Sequence, residues 1–153
     1  DGAGAIVLTS HGLGAIGPVV LHSDASQRAL IRIPRGRQIL EMDGQGTYRR
    51  AITAMHSATL EALELSGGLS LADVDLFVYH QANRRILASL TERLGVDPAR
   101  VVDAIAHVGN TSAASVPLAL AQARAQGQLR AGSRVLLGAA GSGFCWGAGV
   151  LEW

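Results

Sequence analysis

Apolar and polar positions alternate between two periods along the chain, and the switches between them mark the elements. Residues 3–9 and 15–22 are strand-like apolar runs separated by Ser10-His11-Gly12-Leu13-Gly14, which predicts a meander at the start. Residues 23–42 are polar and arginine-bearing, with Pro34 and Gly36, and read as an irregular excursion. From Gly44 to Leu65 the apolar residues Ala51, Met55, Ala58, Leu60, Ala62 and Leu63 fall near helical spacing, and Gly67-Gly68 stops the pattern, which predicts a long helix. Residues 74–79 form a compact apolar run, a buried strand ending at His80. A second helix is predicted over 83–94, where Ile86, Leu87, Leu90 and Leu94 share a face and Gly95 follows. Asp97-Pro98 pairs a capping residue with proline at the first helical position, so a short turn starts there. A weak strand over 101–106 and an alanine-rich helix over 112–126 come next, with Pro117 expected to distort the first turns of that helix. Residues 134–139 and 145–151 are strands joined through Gly141-Ser142-Gly143. The alternation implies an α/β fold, layered, with a mixed β-sheet packed with helices.

Composition narrows the class of molecule. A chain of 153 residues fits one domain with a substantial core, and 48% hydrophobic against 16% charged residues describes a packed globular chain. So little charge also points to surface covered by another protein segment. The thirteen basic residues are all arginine and the net charge is +1, which provides no global field for nucleic acid. The single cysteine, Cys145, allows no intrachain disulfide and suits a reducing cytoplasm, and no apolar stretch approaches membrane-spanning length, so a soluble cytoplasmic protein is expected. The opening Asp1-Gly2-Ala3-Gly4-Ala5 lacks methionine and reads as a turn entering a strand, which points to the later part of something longer.

Two short words carry the candidate chemistry: Tyr79-His80-Gln81-Ala82-Asn83 and Gly109-Asn110-Thr111-Ser112-Ala113-Ala114-Ser115. Each places a hydrogen-bond donor, His80 or Asn110, in a turn between an apolar run and a helical pattern. Fixed donors in a dry pocket stabilise the negative charge that develops on a carbonyl oxygen. One strand-to-helix crossover separates the two words, so adjacent strand ends bring both side chains to one pocket. A helix start beside His80 disfavours the imidazolium, and a neutral ring donating from one nitrogen is expected at pH 7. Taken singly, each residue also has an ordinary role, as a hydrogen-bonded loop histidine or a turn asparagine.

Other candidates carry less. The glycine-rich Gly138-Ala139-Ala140-Gly141-Ser142-Gly143 is followed by a strand rather than a helix, which excludes a dinucleotide fingerprint and leaves a tight hairpin aiming backbone N–H groups at a ligand. Cys145 sits inside an apparent buried strand with no basic neighbour, and is read as a core thiol rather than a nucleophile. Arginines cluster at Arg32, Arg35 and Arg37, at Arg49 and Arg50, and at Arg84 and Arg85; the last pair, beside His80, is suited to a phosphate or an acidic protein. His11, His22, His56 and His107 show no metal-ligand spacing, and no metal is expected.

With these words in place, the chain resembles the C-terminal half of β-ketoacyl-acyl carrier protein synthase III, a condensing enzyme of the thiolase superfamily. The resemblance runs from Asp1-Gly2-Ala3-Gly4-Ala5 through Met42-Asp43-Gly44, His80-Gln81-Ala82-Asn83 and Gly109 to Pro117, to Gly143-Phe144-Cys145-Trp146-Gly147. It implies a thiolase-like half of βαβαβαββ architecture, the second copy of a duplicated fold, in a cytoplasmic homodimer. It also implies that a cysteine of an N-terminal half, absent from these residues, accepts an acyl group from acyl-CoA. His80 and Asn110 match the residues that hold the thioester carbonyl of malonyl-acyl carrier protein during loss of carbon dioxide. The Ser142 backbone N–H matches an oxyanion-hole position, and Arg85, with Arg84 beside it, matches a basic position for carrier protein or CoA. No cofactor is implied, and fatty acid and polyketide initiation both remain open. Three positions depart from the family pattern: Ser142 replaces a usual glycine, Ala140 stands where a bulky aromatic is common, and Cys145 replaces a threonine. Ala140 near the acyl end implies a roomier or differently shaped acyl pocket, as in starter-unit enzymes of polyketide pathways. A non-decarboxylating acyltransferase and a non-catalytic partner half are the competing readings; Asn110 argues against the first, because the His and Asn pair assists decarboxylation, and the retention of both donors argues against the second.

Overall fold

A computed structural model describes residues 1–12 and 14–153; Leu13, in the turn of the expected meander, lies outside the described residues. The main sheet has four strands in the order β1 (Ala15–Ser23), β6 (Cys145–Glu152), β5 (Arg134–Gly141), β4 (Leu76–Tyr79). β1 and β5 flank β6 antiparallel, whereas β4 runs parallel to β5. Beyond β4 a single parallel bridge joins Val101 to Phe77. The sheet is therefore mixed, as expected, and the weak strand of 101–106 is reduced to that one bridge, with a short helix α3 (Ile105–Val108) taking over. Counting the bridge as a strand, β1, α1, β4, α2, Val101, α4, β5 and β6 follow the βαβαβαββ order.

Helices cover the two faces unequally. α1 (Gly44–Leu65) starts where Asp43 accepts a hydrogen bond from the Gly46 N–H at 2.9 Å, and α2 (Arg84–Leu94) starts where Asn83 accepts from the Arg85 N–H at 2.8 Å. Gly95, at φ 66°, closes α2 in the left-handed conformation. These two helices share a core with Phe77, Tyr79, Leu136 and Val150 on one face of the sheet. Fully buried Ala58 and Ala62 let α1 lie close against Val20 and Ala148. On the opposite face α4 (Ser115–Ala125) packs on Leu76, Val78 and Val135. Successive residues of β4 thus serve opposite cores, and all four are buried. Among the described residues nothing covers the same face over β1: Ile16, Val19 and Leu21 are 60%, 57% and 80% exposed.

Several expectations are corrected. Residues 3–9 form no strand; Ile6, Val7 and Leu8 are exposed, and the β6 side of β1 is already its only paired side. The opening segment instead lies against the start of α4, with Gly2 beside Thr111 and Leu118 and Gly4 beside Pro117, contacts too close to admit a side chain. Residues 23–42 hold a 3-10 turn (Ala25–Gln27) and the two-residue strands β2 (Ile31–Arg32) and β3 (Glu41–Met42). The helix expected over 112–126 divides into a 3-10 turn (Ser112–Ala114) and α4. Pro117 is the third residue of α4, where the backbone N–H has no partner within the helix, so the ring is accommodated. Cys145 is exposed rather than a core thiol. Along β6 the side chains of Ala148 and Val150 are buried toward α1, and the odd-numbered positions, Cys145 among them, take the other face.

Candidate active site

His80 is held by the strand that precedes it. Its backbone N–H donates to the Gly138 carbonyl at 2.8 Å, extending the β4–β5 ladder by one bond. Gly138 is required beside it, because a Cβ there would stand 2.6 Å from the Tyr79 ring. The half-buried imidazole has Nδ1 2.6 Å from the Ser115 hydroxyl oxygen. Burial pushes its pKa below the ordinary histidine value, which keeps the ring neutral at pH 7. The expected neutral state is therefore supported, with desolvation as its cause.

Gln81 is fully buried and uses its whole carboxamide. Nε2 donates to the Tyr79 carbonyl at 2.8 Å and the Val102 carbonyl at 3.1 Å, while Oε1 accepts from the Ala104 N–H at 2.8 Å. This side chain clamps the end of β4 to the segment leading through α3 to Asn110. Asn110 follows Gly109, whose φ of 66° favours glycine. Its Oδ1 accepts from the Ser112 N–H at 3.0 Å, and Nδ2 points to the Ala82 carbonyl at 3.5 Å. The carboxamide thus hangs against the His80 loop with one N–H uncommitted.

A cavity of about 820 Å³ opens on the uncovered face of the sheet. His80, Ser112, Ala113, Ala140, Cys145 and Trp146 line it, in a wall otherwise made mostly of apolar residues and glycine. Ala140 pairs in register with Trp146 across the β5–β6 hairpin, and both residues border the cavity while packing against the core beneath α1 and α2. Asn110 and Ser142 are not among the lining residues. Ser142 is exposed at the hairpin tip, where its hydroxyl donates to the Ile31 carbonyl at 2.8 Å. The two arginines beside His80 differ: Arg84 pairs with Asp103 at 3.0 Å, whereas Arg85 makes no ion pair among the described residues. Arg85, Ser89 and Arg93 follow one another at four-residue spacing along α2, so they share a face. Among the described residues no three His, Cys, Asp or Glu side chains gather to hold a metal ion, and no helix is long and apolar enough to cross a membrane.

Sequence reasoning assigned no role to Gln81 or Ser115, although both lie within the two words it singled out. Their only local signal is a polar side chain next to an alanine; the partners that define them lie 21 to 35 residues away.

A profile of the family described as 3-oxoacyl-[acyl-carrier-protein] synthase III C terminal matches residues 63–153. The chain belongs to this family. The match takes in the His80 and Asn110 loops, α4 and the β5–β6 hairpin, so the whole cavity wall apart from β1 is synthase III sequence. A Streptomyces coelicolor protein named β-ketoacyl-[acyl-carrier-protein] synthase III 2 is 47% identical over 156 aligned residues, covering 100% of this chain and 47% of its own length. The synthase III fold is shared in three dimensions with the Aquifex aeolicus 3-oxoacyl-[acyl-carrier-protein] synthase III, at TM-score 0.88 and 32% identity over 95% of this chain and 46% of that one. The priming β-ketosynthase of a polyketide biosynthetic pathway is similar as well, at TM-score 0.82 and 36% identity, covering 90% of this chain and 44% of that one. The chain spans about half the length of the curated relatives it matches. These likenesses establish the thiolase-like α/β fold that the strand and helix alternation and the family resemblance imply.

Proposed function

We propose that this chain is the C-terminal half of a condensing enzyme that joins an acyl group to malonyl-acyl carrier protein with loss of carbon dioxide. The observation that carries the reading is the neutral, half-buried His80 imidazole on a loop against which the Asn110 carboxamide hangs, at the wall of an apolar cavity. The malonyl thioester carbonyl sits between the two donors. As the bond to the carboxylate breaks, its electron pair moves into the thioester as an enolate, and N–H groups of His80 and Asn110 bear the charge on the enolate oxygen. A neutral imidazole suits this step, since it donates without itself being an acid strong enough to quench the carbanion. The carbanion attacks the acyl thioester on a cysteine of the N-terminal half, a carbon–carbon bond forms, and the thiolate leaves. The Ser142 backbone N–H serves the acyl carbonyl oxygen, and Ala140 borders the acyl chain. The carrier protein and the CoA phosphates meet Arg85, with Arg84 contributing less because Asp103 already engages it.

The exposed Ile16, Val19 and Leu21 support an N-terminal half packing over the open sheet face, which would also close the cavity. The whole protein is then a cytoplasmic homodimer in fatty acid or polyketide initiation, and it needs no cofactor. The similarity to a priming ketosynthase of a polyketide pathway supports the polyketide alternative, and Ala140 at the cavity border supports an acyl pocket that is roomier or differently shaped.

The test uses the complete protein. Carbon dioxide release from malonyl-acyl carrier protein should fall about a hundred- to thousandfold in His80→Ala and in Asn110→Ala. Intact-mass measurement should still find one cysteine acylated after exposure to acyl-CoA. Decarboxylation at the wild-type rate in both variants would overturn the reading.

A further inference from the structure

We propose that Ser115 is a positioning residue that locks His80 in the tautomer whose proton is on Nε2. Ser115, the first residue of α4, is fully buried, and its hydroxyl oxygen is 2.6 Å from His80 Nδ1. The same oxygen accepts the Gln81 backbone N–H at 3.2 Å. A hydroxyl has one proton to donate and two lone pairs to receive with. In one arrangement Nδ1–H and the Gln81 N–H both point at the oxygen, and the hydroxyl proton is left without an acceptor in a buried site. In the other the hydroxyl donates to a bare Nδ1, and every polar group is paired. Among the described residues Nδ1 is the only acceptor that the hydroxyl reaches in hydrogen-bond geometry. Buried donors are rarely left unpaired, so the second arrangement prevails.

The consequence is directional. With Nδ1 acting as acceptor, the single proton of the neutral ring resides on Nε2, the nitrogen remote from Ser115 and free to face a ligand. The Gln81 N–H fixes the hydroxyl oxygen, the hydroxyl fixes the ring, and the ring is primed to donate before any substrate arrives. Burial adds to this by holding the ring neutral. Ser115 need not touch the substrate; it acts through His80.

The experiment uses the complete protein with ring-15N histidine, and His80 is assigned by the signal lost in His80→Gln. At neutral pH the wild-type His80 should show a protonated Nε2 and an unprotonated Nδ1. Ser115→Thr should keep that pattern, and Ser115→Ala should lose it, with a mixture of tautomers. Resting on the reaction proposed above, kcat for decarboxylation should fall about tenfold or more in Ser115→Ala, with KM for malonyl-acyl carrier protein little changed and the rate recovered in Ser115→Thr. A protonated Nδ1 in the wild type, which needs no variant to fold, would overturn the proposal, as would a Ser115→Ala spectrum identical to wild type. Should wild-type Nε2 carry the proton while His80→Ala still decarboxylates normally, the tautomer lock stands and the reaction reading fails.

Discussion

Replacing Gln81 with leucine should cost about 3–5 kcal/mol of folding stability, although the two side chains are close in volume and the site is fully buried. The figure follows from three backbone groups that lose their partner. The Tyr79 and Val102 carbonyls are bonded by Nε2 at 2.8 and 3.1 Å, and the Ala104 N–H is bonded to Oε1 at 2.8 Å. An orphaned buried donor or acceptor costs about 1–3 kcal/mol, and local relaxation holds three of them toward the lower end. That is a large part of the roughly 5–15 kcal/mol available to a typical domain. Gln81→Glu provides a pH signature. Its carboxyl must stay protonated to donate even one of the two bonds, so burial raises its pKa in the folded state. The native state then holds the proton longer than the unfolded chain does. Stability is greatest below the ordinary carboxyl pKa and declines as pH rises toward the folded value. Urea unfolding of the complete protein measures both effects. A Gln81→Leu free energy within about 1 kcal/mol of wild type would refute the clamp, since three orphaned buried groups must cost more than that.

Three further outcomes follow from the site. Because burial lowers the His80 pKa, decarboxylation should persist on acidification past the ordinary histidine value of about 6.5 and fail only below it; the unfolded chain takes the proton first, so this residue's contribution to stability also drops between 6.5 and the lower folded value, and an NMR titration midpoint at or above 6.5 would contradict both. Arg85→Glu should raise KM for the carrier protein about tenfold at low salt and lose most of that effect at high salt, whereas Arg84→Ala should change it by less than about threefold, its guanidinium being already held by Asp103; equal effects would refute the distinction. Ala140→Phe should shift preference in an acyl-CoA length and branching series toward acetyl by filling the cavity wall, and an unchanged profile would remove Ala140 from the acyl site.

The sequence makes some parts of the structure plain and hides others, for physical reasons. α1 is legible over its full length because its apolar spacing, its capping Asp43 and the Gly67-Gly68 stop all agree. β4 is legible because a strand buried on both faces is apolar at every position. Residues 3–9 carry an equally apolar run that pairs with nothing, since local pattern contains no information about which sheet edge is open. The exposure of Cys145 is hidden in the sequence because an apolar β6 does not reveal which of its alternating faces is covered. His80 and Asn110 stand out by residue type and turn context. Gln81 and Ser115, which hold them, are recognisable only once distant backbone has been brought to them. Likewise, adjacent Arg84 and Arg85 look equivalent until Asp103 is seen to engage one of them.

The proposed reaction requires His80 and Asn110 to donate to one oxygen. A crystal structure of the complete protein with a non-hydrolysable malonyl-thioester analogue tests it most directly. His80 Nε2 and Asn110 Nδ2 should each stand about 2.7–3.1 Å from the same thioester carbonyl oxygen. Donors reaching different atoms, or a thioester oxygen that neither approaches, would contradict it.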